Sequence, residues 1–183
     1  MVSPMLPIPP AVVKCKHCER GYWLVDAEKI GTVDLWQETH QIVDPEEINI
    51  NHVGEPSEYE YYSFIQTNLA KDGKQEKLLR ILAWWRRNDN FRDVSCIPKE
   101  STVSTACREN LEALLKLLNP KSDQDQIMKG EILRELGQFE AAQKVLNGII
   151  FTKHTAIVNL ILSWCANEYT CVGILQPSPS IND

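Results

Sequence analysis

The sharpest chemical pattern in the sequence is a pair of cysteines separated by two residues, Cys15-Lys16-His17-Cys18. Two cysteines at this spacing form a turn that can direct both thiolates at one metal ion, as in zinc knuckles. A closed zinc site needs four ligands, and the sequence contains no second pair at the same spacing. We therefore expect the missing ligands to come from His40, His52, Cys96 or another chain.

Three interpretations of this cysteine pair stay open: a zinc site, a redox dithiol, and a remnant knuckle with free thiols. The segment Gly21-Tyr22-Trp23 resembles the strand that leaves the knuckle of a zinc ribbon, which favours the metal. A thioredoxin-like role is disfavoured because no βαβ pattern surrounds the motif. Zinc is the one cofactor that the sequence suggests, with Cys15 and Cys18 as ligands together with His40 or His52.

A run of aromatic and basic residues, Trp84-Trp85-Arg86-Arg87, could stack on bases and neutralise phosphates. Packing of both tryptophans in a core, with the arginines at the surface, is the favoured interpretation. The net charge of −6 and the pI of about 5.3 also oppose nonspecific binding to nucleic acid or to anionic membranes. We therefore expect no nucleic-acid partner.

Motifs for catalysis are missing from the sequence. It has no Gly-x-Ser-x-Gly elbow, phosphate-binding glycine loop, dinucleotide fingerprint or His-Glu-x-x-His pair. Cys107 falls on an apolar stripe, and Cys165 and Cys171 do not share a helical face, so structural roles are expected for all three. We predict that the chain is not an enzyme, and an enzyme whose site no motif reveals remains an alternative.

No stretch of 18 apolar residues occurs, so the sequence predicts no membrane-spanning helix. The first 13 residues contain four prolines and no basic start, which does not fit a signal peptide. With secretion unsupported, the six cysteines are expected to be reduced thiols. A cytoplasmic location is the resulting prediction.

The pattern of the chain changes at Pro56. Residues 1–56 are predicted to form an arm and a cysteine-containing segment with short strands, 57–175 a helical domain, and 176–183 a flexible tail. A capping box at Ser57 and Glu60 marks the start of the first helix, and Lys71-Asp72-Gly73 is predicted to stop it. Apolar spacing predicts helices over 57–70, 75–88, 103–118, 122–136, 139–149 and 155–168. In the second of these, Trp84 and Trp85 should be buried and the arginines should reach solvent.

Residues 123–149 resemble one tetratricopeptide repeat, a helix-turn-helix unit of about 34 residues. The residues that carry the resemblance are Gly130, Leu133, Gly137-Gln138-Phe139, Ala142 and Leu146. The resemblance implies that the small residues Gly130 and Ala142 let two helices approach closely. The sequence departs from the family pattern at Gln126, at Lys129 and at His154, and an ordinary helical hairpin in a bundle is the alternative.

The expected fold is therefore mainly α, with stacked antiparallel helix pairs in a tetratricopeptide-like superhelix or a bundle. The segment from Leu79 to Asp89 also resembles one in uncharacterised bacterial proteins, which implies no activity. The function that we predict is protein interaction, as a scaffold or adaptor that binds a protein, a peptide or a second copy of itself. The alternative is a zinc-binding adaptor or regulator that uses the cysteine pair.

Overall fold

The computed structural model describes residues 10–29, 54–91, 103–149 and 154–172. These ranges form six α-helices and one antiparallel hairpin, so the expected mainly α fold is confirmed. The strands are β1 (Val12–Lys14) and β2 (Gly21–Trp23). The helices are α1 (Glu58–Gln66), α2 (Gly73–Asn88), α3 (Thr105–Leu117), α4 (Asp123–Glu135), α5 (Phe139–Asn147) and α6 (Thr155–Ala166). His40, His52, Cys96 and the predicted tail 176–183 lie outside the described residues.

Four of the described helices begin at a side chain that accepts a hydrogen bond from a backbone amide of the first turn. Ser57 forms the predicted capping box: its hydroxyl accepts the Glu60 N–H at 3.3 Å, and the Glu60 carboxylate accepts the Ser57 N–H at 2.8 Å. Asp72, Ser104 and Ser122 cap α2, α3 and α4. Each cap satisfies an amide that has no partner inside the helix and so fixes where the helix starts.

Three helices are followed by a residue in the left-handed conformation: Asn68 after α1, Gly137 after α4 and Glu168 after α6. The next amide then bonds back into the last turn, as where the Gln138 N–H donates to the Leu133 carbonyl at 2.8 Å. This geometry satisfies the free carbonyls and reverses the chain. The helix break predicted at Gly137 is confirmed.

The stop predicted at Lys71-Asp72-Gly73 is wrong. Helix α1 has already ended at Gln66, because Asn68 adopts the left-handed conformation. Asp72 instead accepts the Gln75 N–H at 2.8 Å, so it caps α2, and Gly73 is the first residue of that helix. A Gly that follows a good capping residue therefore starts a helix here.

Three apolar clusters run along the stack of helices. The first joins the hairpin to α1 and α2, the second joins α2 to α3 and α4, and the third joins α4 to α5 and α6. Helices α2 and α4 each contribute to two clusters, so each packs on two sides, which is the arrangement of a stack. Within the described ranges, no helix has the length and hydropathy that crossing a bilayer requires.

Helix α2 is buried on two faces, but the exposure of two side chains near its C-terminal end differs from the prediction. Trp84 is buried as expected, whereas Trp85 is 51% exposed and Arg87 only 6% exposed. The Arg87 guanidinium lies 3.5 Å from the Glu135 carboxylate and 5.5 Å from the centre of the Phe91 ring. A buried acid on α4 therefore holds the arginine on the inner face, and the second tryptophan is turned outward.

Candidate functional site

A groove of about 600 Å³ runs along the helix pair formed by α4 and α5. One wall comes from α4, between Asp123 and Leu133, and the other from residues between Ala141 and Ile149, with Pro120 also in the lining. The aliphatic side chains that line it are Leu133, Val145 and Ile149. The volume falls within the range of pockets that bind ligands in proteins.

The two walls of the groove are held in register by small residues at the centre of the helix pair. A Cβ atom placed on Gly130 would lie 2.5 Å from the Cγ and Cδ2 atoms of Leu146, which is far inside van der Waals contact. Ala142 is fully buried at the same interface. The close approach predicted at Gly130 is therefore confirmed, and Ala142 is buried in the same cluster as Leu146.

Lys129 and Lys144 supply the positive charge of the groove. Neither forms a salt bridge with any residue in the described ranges. Asp123 is the one acidic residue among those lining the groove. A locally basic, partly aliphatic surface thus occurs on a chain whose net charge is −6.

A smaller cavity of about 250 Å³ lies between α1, α2 and α3. Its main charged group is already engaged within the chain, because Arg80 lies 2.8 Å from Glu76 and donates to Asn110 at 3.3 Å. Asn110 in turn donates to the Arg80 carbonyl at 3.0 Å. These contacts connect α2 to α3, so we assign the cavity a packing role rather than a binding role.

A buried carboxylate that the sequence analysis did not single out connects α4 to α2. The Glu135 side chain is 1% exposed, and the Trp84 Nε1–H donates to its two oxygens at 3.0 and 3.1 Å. Burial raises the pKa of Glu135 to about 7, with Glu131 adding to the shift and the Trp84 hydrogen bond opposing it. Its position on the apolar stripe of α4, three residues after Ile132, was the available signal.

Arg134 plays the corresponding role between α4 and α6. Its side chain is fully buried, yet the guanidinium lies 2.6 Å from Glu131 and donates to the Tyr169 carbonyl. It also stacks over the Trp164 ring at 5.1 Å. This burial with partners on both helices is a structural arrangement, because the charge is compensated and hydrogen-bonded.

The predicted pair Cys15 and Cys18 lies in the loop between β1 and β2. The Cys15 N–H donates to the Arg20 carbonyl and the Glu19 N–H donates to the Cys15 carbonyl, both at 2.9 Å. The amides of Cys18 and His17 donate to the Cys15 sulfur, which lowers the pKa of that thiol. Cys15 and Cys18 lie in the same closed turn, so the loop does bring the two cysteines together.

The hairpin that carries this loop is anchored to the helices. The Trp23 Nε1–H donates to the Leu69 carbonyl at 3.1 Å, and Lys14 forms an ion pair with Glu60. A Cβ atom on Gly21 would lie 2.6 Å from the Phe64 ring, so the strand lies directly against α1. The loop itself is outside this contact, since residues 16–20 are all exposed.

No group of three or more His, Cys, Asp or Glu residues able to hold a metal occurs in the part of the chain that the structure describes. The ligands suggested at His40 and His52 lie outside that part, so the composition of a zinc site stays a prediction. Cys107, Cys165 and Cys171 are buried, in agreement with the expected structural roles. Burial raises the pKa of Cys107 to about 11, which makes it a poor nucleophile.

Comparisons with known proteins add no information about which family this arrangement belongs to. No protein-family model, curated protein or solved structure matches the chain. Function is therefore inferred from the geometry of the groove and of the cysteine loop.

Proposed function

We propose that this chain is a helical protein-interaction module whose α4–α5 groove binds an acidic peptide segment that carries aliphatic side chains. One observation carries the proposal: Lys129 and Lys144 have no ion pair in the described ranges and stand beside an open aliphatic surface. Lysines in this setting are available to an anionic partner. Aliphatic side chains of the same partner can cover Val145 and Ile149, which are half-buried.

The two kinds of contact have separate roles. Burial of apolar area contributes about 25 cal/mol for each Å² and supplies most of the affinity. The lysines contribute orientation and discrimination against basic partners, since a like charge beside them is repelled. The groove is small compared with the interface of two folded proteins, so a peptide segment with roughly micromolar affinity is the expected partner.

The resemblance of 123–149 to a tetratricopeptide repeat supports the same proposal. Gln126 and Lys129 stand where that pattern has large apolar residues, and both line the groove. Polar side chains at these positions leave the helix pair open where apolar ones would fill the space. Repeats of this type use the surfaces of stacked helices to hold peptides.

The proposal includes the predictions that the chain is not an enzyme and does not bind nucleic acid. It also keeps the predicted cytoplasmic location. These predictions depend on the sequence, on the burial of Cys107, and on the internal pairing of the arginines of α2.

The test is selection of binding peptides from a displayed library of random ten-residue inserts, with the full chain as bait. We expect the enriched sequences to combine Asp or Glu with Leu, Ile or Val. Affinity for a selected peptide, measured by calorimetry, should fall at least tenfold in the Lys129→Glu/Lys144→Glu variant, because both attractive charges become repulsive.

The matched control is the Lys74→Glu/Arg108→Glu variant, which changes the net charge equally at exposed residues away from the groove. It should bind the selected peptide with near wild-type affinity. Circular dichroism of both variants checks that they remain folded. Enrichment of basic peptides, or equal losses in the two variants, would overturn the proposal.

A further inference from the structure

The loop between β1 and β2 presents two thiols on an otherwise rigid base. Cys15 is partly exposed and Cys18 is exposed, and both lie in one turn, which the Glu19 N–H closes by donating to the Cys15 carbonyl at 2.9 Å. The strands behind them are fixed, because Val12 and Trp23 are buried against α1 and α2. The pair is therefore preorganised as a bidentate ligand.

The backbone of the loop supports metal binding as well. The amides of His17 and Cys18 are directed at the Cys15 sulfur, and Glu19 takes a left-handed conformation with φ of 58°. Amide donors compensate the negative charge that a metal-bound thiolate keeps, and such outer contacts orient metal ligands. A non-glycine residue in the left-handed region is uncommon, so the turn is held by the surrounding hydrogen bonds rather than by residue preference.

Zinc bound to cysteines takes four tetrahedral ligands. The described part of one chain offers only two at this loop, because no third His, Cys, Asp or Glu joins the pair there. All five residues that follow Cys15 in the loop, 16–20, are exposed, so the loop can be approached from solvent by another large molecule. Two copies of the loop would together provide the four sulfurs.

The charges around the loop fit such an arrangement. Zinc with four thiolates carries two net negative charges. Each loop brings the positive residues Lys16 and Arg20 and the negative residue Glu19, a surplus of one positive charge. Two loops therefore balance the charge of the metal centre. A surface cluster without this balance would repel its own copy.

We propose that Cys15 and Cys18 form a half-site for zinc, and that the same two residues of a second copy of the chain complete it, so that the metal joins a symmetric dimer. A twofold axis through the ion relates the two loops. This dimer uses the hairpin end of the stack, and the α4–α5 groove is not needed for it. The proposal is therefore independent of the function proposed for the groove.

The test uses the full chain, reduced and freed of metal, titrated with zinc chloride alone. Native mass spectrometry should show one zinc ion per two chains, and sedimentation should show the mass doubling from 20.9 kDa. Cys18→Ser should abolish both zinc uptake and the dimer without affecting folding, since that side chain is exposed. His17→Ala, which keeps the amide that faces the sulfur, should retain both.

Substitution of His40 and His52 separates this arrangement from a site within one chain. We expect His40→Ala/His52→Ala to bind zinc and dimerise as the wild type does. One zinc per monomer, or loss of zinc in that variant, would overturn the dimeric site. Zinc uptake that is unaffected by Cys18→Ser, or no uptake at all, would overturn the assignment of the cysteine pair.

Discussion

Replacement of Gly130 by alanine tests the contact that holds α4 against α5. Alanine is favoured over glycine inside a helix by about 1 kcal/mol, so at an unobstructed position this change would stabilise the protein. At Gly130 the new Cβ would lie 2.5 Å from two atoms of Leu146, which is 1% exposed and has no solvent to move into. Overpacking of this kind costs about 1–3 kcal/mol. We expect a net loss of about 0–2 kcal/mol, which leaves the variant about 1–3 kcal/mol less stable than an unobstructed substitution would be.

Thermal and urea unfolding, followed by circular dichroism, measure this loss. For a chain of this size, each kcal/mol corresponds to a change in Tm of roughly 2–4 °C. Gly73→Ala is the matched control, because a Cβ there meets nothing within 4 Å, and it should leave Tm unchanged or raise it.

Leu146→Ala on its own should cost about 2–5 kcal/mol through the cavity it leaves. When it is combined with Gly130→Ala, the total loss should be smaller than the sum of the two, because the clash is removed. A Gly130→Ala variant as stable as the Gly73→Ala variant would refute the close contact between the helices.

Three further predictions concern groups buried in the stack or left exposed beside it. Because the pKa of Glu135 is raised to about 7 from its ordinary 4.5, its folded form keeps a proton that the unfolded chain releases. The free energy of unfolding of the wild type, relative to that of Glu135→Gln, should fall by up to about 3 kcal/mol as the pH rises from 4.5 to 7. A difference between the two proteins in urea unfolding that does not depend on pH would contradict this. Iodoacetamide at neutral pH should label the exposed Cys18 and leave Cys107 unmodified, as checked by peptide mass spectrometry, whereas equal labelling rates would be inconsistent with the burial of Cys107. The buried Asp125 carboxylate accepts the Asn119 N–H at 2.7 Å and pairs with Lys77 of α2. Asp125→Ala should therefore lower the free energy of unfolding by about 1.5–3 kcal/mol. In the same urea unfolding assay, Asp123→Ala at an exposed residue should change it by less than about 0.5 kcal/mol.

Much of the helical fold could be predicted because the information is local. Apolar residues at intervals of three and four placed every described helix, and Ser57 and Gly137 gave correct boundaries. The errors occurred where two local signals compete. Gly73 was interpreted as a stop, although Asp72 before it is a strong cap, and nothing in the sequence shows that Asn68 turns the chain first.

The buried polar groups were harder to predict because their partners lie far away along the chain. Glu135 bonds to a tryptophan 51 residues earlier, and only the packing of α4 on α2 brings them together. The same packing draws Arg87 inward and leaves Trp85 exposed, which reverses the sequence prediction. A charge on an apolar stripe signals such pairing, but the sequence does not identify the partner.

The groove shows the same division between local and long-range information. The small residues Gly130 and Ala142 that set the helix contact were recognisable from the repeat resemblance. The departures at Gln126 and Lys129 were also visible, but the open surface that they line depends on how α4 and α5 pack together. The cysteine pair was found from its spacing alone, because the turn that joins the two residues is local.

The most direct test of the proposed function is a titration of isotopically labelled chain with a selected acidic peptide, followed by amide chemical shifts. We predict the largest shifts at Lys129, Val145 and Ile149, with little change at Tyr61 and Leu79 in the first cluster. Shifts confined to the hairpin or to α1 and α2, with none along the walls of the α4–α5 groove, would contradict the account.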